Sequence, residues 1–171
     1  MHNSKIKKKI ITLIGPTACN KTSTAVHLIK KFPISIIGVD SVQIYKRFNI
    51  GSAKPPKEIL EKYKHHLVDS ADPENIFSVK DFYDQAYRIV IQAHSNNRIP
   101  LLVGGTMMYF NALFKGINNI PEGNEAIREE LQRELDNRGV DKLFNELKEI
   151  DPESAKTIKE NDKQRIMRAL E

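Results

Sequence analysis

Tryptophan is absent from the 171-residue chain, and cysteine occurs once, at Cys19. A single thiol excludes a disulfide framework within the chain. Long hydrophobic runs are missing as well. No apolar stretch approaches the ~18 residues of a membrane span, and Ile10 to Ile14, after a basic start, is too short for a signal peptide. A cytoplasmic protein without membrane contact is therefore expected. Zinc or haem spacings are lacking, and His65-His66 is not an obvious ligand pair. There is no internal repeat and no low-complexity segment, which excludes a repeat array.

What is present fits a globular protein. Hydrophobic residues make up 40% and charged residues 29%, the balance of a soluble fold rather than a disordered one. The length suits one or two small domains with a core that needs no cross-links. The net charge of +5 is unevenly spread. Residues 1–120 carry 17 basic and 8 acidic side chains, a balance of +9. Residues 121–171 carry 10 and 14, a balance of −4. The first part has a field suited to phosphates or nucleic acid, although a solubility surface produces the same count.

Hydrophobic periodicity places the elements. Ile10 to Ile14, Ile34 to Val39 and Ile99 to Val103 read as buried strands. A helix is expected from about Thr22 to Lys31, and a short polar one after Pro55-Pro56. Ser78 with Asp81 has capping-box spacing. It opens a helix with Phe82, Ala86, Ile89, Val90 and Ala93 on one face. Strands alternating with helices predict an α/β fold, a parallel sheet flanked by helices. After about Gly116 the pattern changes. Asn118 to Asn124 reads as a turn-rich linker, and only helical patterns follow. Leu131 and Leu135 end in a glycine stop at Gly139, and Leu143, Phe144, Leu147 and Ile150 form a second apolar face. Asp151-Pro152 is an N-cap before a first-turn proline, and Asp162 caps a last helix. The expected division is an α/β core over 1–117 and a helical domain over 118–171. The chain ends at Ala169-Leu170-Glu171 inside a helical pattern, so a shortened chain is expected.

The sharpest motif is Gly15-Pro16-Thr17-Ala18-Cys19-Asn20-Lys21-Thr22, between a strand and a helix. In that context the pattern G-x-x-x-x-G-K-[ST] has a mechanism: converging amides and a helix N-terminus hold an anion. Lys21 would reach phosphate oxygens, and the Thr22 hydroxyl would join a Mg²⁺ shell. Asn20 stands where the pattern has glycine. Asn tolerates positive φ better than most residues but brings a side chain toward the phosphate, so a weakened site is expected. The plain alternative is a strand–turn–helix with a chance Lys-Thr pair. Cys19 could have a lowered thiol pKa at the helix start, but a small loop residue is the simpler reading. Asp40 follows the second strand at the end where ligands bind in open parallel sheets. It could hold Mg²⁺ through water, accept a proton, or merely cap a turn. Gly104-Gly105-Thr106 ends the third strand, and by itself Thr106 reads as a helix cap.

Together these segments resemble the tRNA dimethylallyltransferases. The matching stretches are Gly15 to Thr22, Val39 to Tyr45, Ile50 to Pro55, His65 to Asp69, Ile99 to Phe110 and Asn161 to Glu171. The resemblance implies a P-loop kinase-like parallel sheet with an all-helical insertion, incomplete here because family members are considerably longer. It also implies transfer of a dimethylallyl group from dimethylallyl diphosphate to the N6 amine of an adenosine beside the anticodon of tRNA. Gly15 to Thr22 would be the diphosphate loop and Asp40 the general base or orienting group. Asp40, Ser41, Val42 and Gln43 would touch the target nucleotide. Thr106, Arg128, Gln164, Arg165, Ile166, Met167 and Arg168 match tRNA-contacting positions. Magnesium is the implied cofactor, and a monomer is expected. Two other readings stay open: a prenyltransferase or kinase acting on free adenine nucleotides, and a non-catalytic remnant.

Overall fold

The computed structural model of the chain describes residues 9–117 and 123–171. It divides into two compact units, Met1–Asn118 and Asn119–Glu171. The expected linker over 118–124 falls mostly outside the described residues.

The first unit alternates strand and helix. Its elements are β1 (Ile11–Ile14), α1 (Lys21–Ile29), β2 (Ile34–Val39), α2 (Lys57–Lys62), β3 (His65–His66), α3 (Val79–Ser95), β4 (Ile99–Gly104) and α4 (Met107–Lys115). The four strands pair in parallel in the order β1-β4-β2-β3. Ile36 lies opposite both Leu101 and His65, so β2 is paired on both edges. All six of its residues are buried. Alternation along the strands feeds two cores. Ile37, Val39 and Leu102 pack with Phe82, Ala86, Val90, Tyr109 and Phe110 from α3 and α4. Ile34, Ile36 and Leu101 pack with Ala25, Leu28 and Ile29 from α1. Both faces are covered, as a parallel sheet requires. The Phe82 and Tyr109 rings stack at 4.1 Å. The expected capping box is present: the Ser78 hydroxyl accepts the Asp81 N–H, and Asp81 accepts the Ser78 N–H.

One expectation is corrected here, and one strand was not foreseen. β1 is not buried. It is an edge strand, and Ile11 and Ile14 are 42% and 46% exposed. A continuous β-branched run reads the same at an open edge as at a paired one, because periodicity does not report the neighbour. β3 has two residues and no apolar pattern, so nothing in the sequence announced it.

The second unit is helical: α5 (Glu125–Arg138), α6 (Val140–Ile150), α7 (Pro152–Thr157) and α8 (Lys163–Leu170). Leu135, Leu143, Phe144, Leu147, Ala155 and Ile166 form its core. Gly139 ends α5 at φ 79°, the conformation that makes glycine the stop residue. Asp151 caps α7 through the Ser154 N–H, and Asp162 caps α8 through the Arg165 N–H. Ile150 departs from the expected apolar face and is 68% exposed, since α6 ends there.

Candidate active site

The carboxyl ends of β1, β2 and β4 bring the loop at 15–22, Asp40 and Gly104 to one rim of the sheet. Gly104 is required by close approach: a Cβ there would lie 1.9 Å from the Val39 carbonyl oxygen. That contact draws the two strand ends together, and the Gly105 and Thr106 amides both donate to the Val39 oxygen at 3.2 Å.

Asn20 has φ 59° and ψ 23° at the N-terminus of α1. This left-handed position is the one that glycine fills without cost and Asn fills better than most. Its carbonyl accepts the Thr24 N–H at 3.0 Å, so the helix starts normally despite the substitution. The Lys21 ammonium is turned onto its own loop. It donates to the Gly15 carbonyl at 2.8 Å and the Pro16 carbonyl at 2.6 Å, with the Cys19 sulfur at 3.7 Å. Oxygens of an incoming anion would compete for those same donors. Cys19 is an exposed free thiol.

Two clefts flank this loop. One, of about 530 Å³, is lined by Thr17 to Ser23, His27, Lys30, Asp40, Gln43, Ala53, Ile59 and Gly104, among others. The other, of about 520 Å³, is lined by Gly15, Pro16, Ser41, Val42, Gly105, Thr106 and their neighbours. Thr17, Lys21 and Asp40 line both. In the first cleft Asp40 is the sole carboxylate against two lysines, an electrostatic balance that favours an anion.

Asp40 is fixed by its own turn. Its Oδ1 accepts the Val42 N–H at 2.9 Å and the Gln43 N–H at 3.1 Å, which leaves Oδ2 for a ligand or a proton. Thr106 occupies the N-cap position of α4 but makes no capping bond. Its hydroxyl oxygen accepts the Ser41 N–H at 3.1 Å instead, tying the end of β4 to the segment after β2. The simple cap reading of Thr106 is therefore corrected. All eight loop residues, Asp40 to Gln43 and Thr106 thus line one cleft or the other.

Arg128 and Gln164 to Arg168 belong to the helical unit and are described there. Arg128 and Arg168 both bind the Glu171 carboxylate, at 2.9 and 2.6 Å, and Arg165 pairs with Asp162 at 3.5 Å. Gln164, Arg165 and Arg168 are exposed. Ile166 is fully buried in the core of that unit and Met167 packs against it. As a candidate RNA-facing side chain Ile166 is corrected, because α8 must spend one face on its own core. Sequence reasoning missed His27 and Lys30. A signal was available, since Ser23, Val26, His27 and Lys30 recur at helical spacing from the loop.

The fold and the rim define a parallel α/β protein with a phosphate-type loop. The sequence profile of IPP transferase matches residues 43–171, and the chain belongs to that family. The match starts beyond the loop and Asp40, so it is independent of both. The chain is 46% identical to the tRNA dimethylallyltransferase of Vesicomyosocius okutanii over 98% of its length, covering 55% of that protein. It is 47% identical to that of Buchnera aphidicola, covering 98% of this chain and 52% of the relative. It spans about half the length of the curated relatives it matches. Among solved structures, the tRNA isopentenylpyrophosphate transferase of Bacillus halodurans superposes with a TM-score of 0.63 at 40% identity, over 96% of this chain and 55% of that one. A eukaryotic dimethylallyltransferase described as acting on tRNA superposes with a TM-score of 0.76 at 27% identity, over 94% and 40%.

Proposed function

We propose that this chain supplies the donor loop and the acceptor-facing carboxylate for dimethylallyl transfer from dimethylallyl diphosphate to the N6 amine of an adenosine beside the anticodon in tRNA. The observation that carries the reading is that Lys21, Thr22 and Asp40 line one cleft at the carboxyl rim of a parallel sheet. In the reaction the allylic C–O bond breaks and its electron pair leaves with diphosphate, while the N6 lone pair forms the new C–N bond. Lys21 and the N-terminus of α1 stabilise charge growing on the departing oxygens. Asp40, oriented through Oδ1, takes the amine proton on Oδ2. Ser41, Val42 and Thr106 on the second cleft and Gln43 on the first flank Asp40, where a flipped adenine would lie, a step that costs a few kcal/mol of unstacking.

Among the described residues no cluster of three or more His, Cys, Asp or Glu could hold a metal by itself. That suits magnesium, which binds through one or two protein oxygens plus substrate phosphates. The Thr22 hydroxyl would be its protein contact, with Asp40 through water. When bound, the ion supplies charge neutralisation on the diphosphate.

No helix among the described residues is long and apolar enough to cross a membrane. A cytoplasmic monomer is part of the same proposal. In the helical unit, Arg128, Gln164, Arg165 and Arg168 are the side chains offered to RNA phosphates, with Met167 beside them. RNA affinity should then fall as salt rises.

The test is a transfer assay with tRNA against AMP, ADP or ATP as acceptor, run beside thermal melting with dimethylallyl diphosphate and Mg²⁺. Transfer to tRNA and a raised melting midpoint are expected. Modification of free nucleotides only would replace the tRNA reading. No shift at high donor concentration would point to a non-catalytic chain.

A further inference from the structure

Beside the candidate site lies a charged group that the proposed chemistry does not use. The Lys54 side chain is 3% exposed, and its ammonium is fully engaged. It donates to the Asp69 carboxylate at 2.5 Å, the Tyr45 carbonyl at 2.8 Å and the Asn49 side-chain oxygen at 3.2 Å. Its three protons thus collect the segment after β2, the loop over 46–53 and the turn after β3 at one point.

Those segments are held in costly conformations. Arg47, Ala53 and Asp69 have φ of 66°, 51° and 51°. Left-handed backbone at non-glycine residues persists where the surroundings over-determine it, at about 1–3 kcal/mol each. The same segments build a wall of the cleft. The Gln43 side-chain amide donates to the Ser52 and Ala53 carbonyls at 3.1 and 3.0 Å. The Asp69 N–H donates to the Gln43 carbonyl at 3.1 Å. Gln43 is in turn bonded through its own N–H to Asp40 Oδ1. A continuous run of contacts therefore leads from the Lys54 ammonium, through Asp69 and the 52–53 carbonyls, to Gln43 and the candidate base. Gln43 and Ala53 face the cleft, and Lys54 does not line it.

We propose that Lys54, with Asp69, is a positioning residue that sets the acceptor wall of the site. It fixes Gln43 and Ala53, and through Gln43 the orientation of Asp40, without touching either substrate. This inference rests on the reading under Proposed function. It separates the site into two independently held halves: a donor loop that carries its own lysine, and an acceptor wall clamped from behind. Loss of a buried ammonium should therefore damage acceptor binding and spare donor binding. A general loss of stability would damage both.

The experiment uses the full chain and three readouts. Lys54→Met is compared with wild type for affinity to an anticodon stem-loop RNA, for affinity to dimethylallyl diphosphate without divalent metal, so that Asp40 makes no contact to the donor, and for hydrogen exchange at the Val42, Gln43 and Asp69 amides. Roughly tenfold weaker RNA binding is expected, the equivalent of about one hydrogen bond lost at the acceptor wall. Donor affinity should be unchanged, and those three amides should exchange faster while the Thr24 amide does not. The double variant Lys54→Met/Asp69→Asn removes both partners of the pair, and Asn tolerates the left-handed backbone at 69. Asp69 is 41% exposed and is solvated in the single variant, so the double variant should stay at the thermal stability and RNA affinity of Lys54→Met. Recovery of both would show that the pair only stabilises the fold, and unaltered exchange and RNA binding in Lys54→Met would overturn the proposal outright. Should the wild-type chain bind neither ligand, the functional reading falls, and the exchange experiment still decides whether Lys54 holds the Asp40–Gln43 segment.

Discussion

The α/β unit and the helical unit hold the cations of their candidate sites in different ways. At the rim of the sheet, cations and carboxylates are held by backbone atoms. Lys21 rests on two loop carbonyls, Asp40 on two amides, and Lys54 on a carbonyl as well as an acid. In the helical unit, arginines are answered by carboxylate side chains, as in Arg165 with Asp162 and in Arg128 and Arg168 with Glu171. Backbone partners fix a side chain in place, and at Lys21 and Asp40 they leave capacity for a ligand. The Arg165–Asp162 pair lies at the helix surface, where water and salt weaken it, whereas the Glu171 carboxylate is only 2% exposed. Under the proposed function, the difference teaches that the first unit offers fixed geometry, and the second a surface where Arg165 can trade a local carboxylate for a phosphate.

The contrast breaks most visibly in the cores. Phe82→Ala removes a ring stacked on Tyr109 beneath the site and should cost about 3–5 kcal/mol of stability in the α/β unit. Denaturant titration followed by tyrosine fluorescence reads that unit alone, because all five tyrosines precede residue 118. A loss under about 1 kcal/mol would mean that this ring pair is peripheral to the unit.

Next in size is the donor loop. Lys21→Met removes a charge-assisted hydrogen bond to diphosphate and should weaken dimethylallyl diphosphate by about 1.5–3 kcal/mol, measured by calorimetric titration with Mg²⁺ present. Arg168→Met, in the helical unit, should leave donor affinity unchanged and lower the salt sensitivity of RNA binding. Equal effects on the donor would erase the distinction between the two units.

Acid should separate them as well. Burial holds the imidazoles of His65 and His66 below the ordinary 6.5, aided at His66 by Lys64 and Arg98. His65 Nδ1 lies 2.6 Å from the Tyr63 carbonyl, which can only accept, so Nδ1 carries the proton. Nε2 is then a buried lone pair without a partner, and a second proton there would add a buried unpaired charge. The folded state resists protonation more than the unfolded one. The stabilisation is therefore complete above about pH 6.5 and declines as the pH falls through the lowered folded values. Glu171 behaves differently. Burial pushes its carboxyl up, but hydrogen bonds from Arg168, the Asn124 amide and Arg128 outweigh that and hold it below its ordinary 4.5. Its contribution is present above about pH 4.5 and is lost only as the pH drops through the depressed folded value. Between pH 6.5 and 4.5, tyrosine fluorescence should report weakening while helicity in the second unit holds. Parallel loss by both probes would contradict the assignment.

The sequence disclosed most of the fold where chemistry is local. Caps at Ser78, Asp151 and Asp162, the stop at Gly139 and the faces of α3 and α6 are written in residue types and spacings that act over one or two turns. The loop at 15–22 and Asp40 were legible because a strand end constrains them. What stayed hidden depends on neighbours distant in the chain. The exposure of β1 is set by which strand lies beside it, and β3 exists only because β2 offers it an edge. The Lys54 clamp needs a carbonyl from residue 45 and a carboxylate from residue 69, a meeting that no periodicity encodes. Thr106 misled for the same reason: it sits where a cap belongs, yet its hydroxyl serves Ser41, 65 positions away in sequence.

The smallest expected effect bears on the one loop residue that departs from the pattern. Asn20 adopts left-handed backbone, and its side chain makes no capping hydrogen bond. Glycine relieves the steric cost of that conformation but gives the unfolded chain more freedom to lose, and the two terms oppose one another. Stability should accordingly change by less than about 1 kcal/mol. Donor affinity has no such compensation. Asn20 lines the cleft beside Lys21, and removing its side chain lets an oxygen approach the loop amides. Asn20→Gly should therefore bind dimethylallyl diphosphate more tightly by severalfold with an almost unmoved melting midpoint. Unchanged or weaker binding in calorimetry would show that the Asn20 side chain is not in the path of the anion, and that the loop here grips its ligand from Lys21 and the helix end alone.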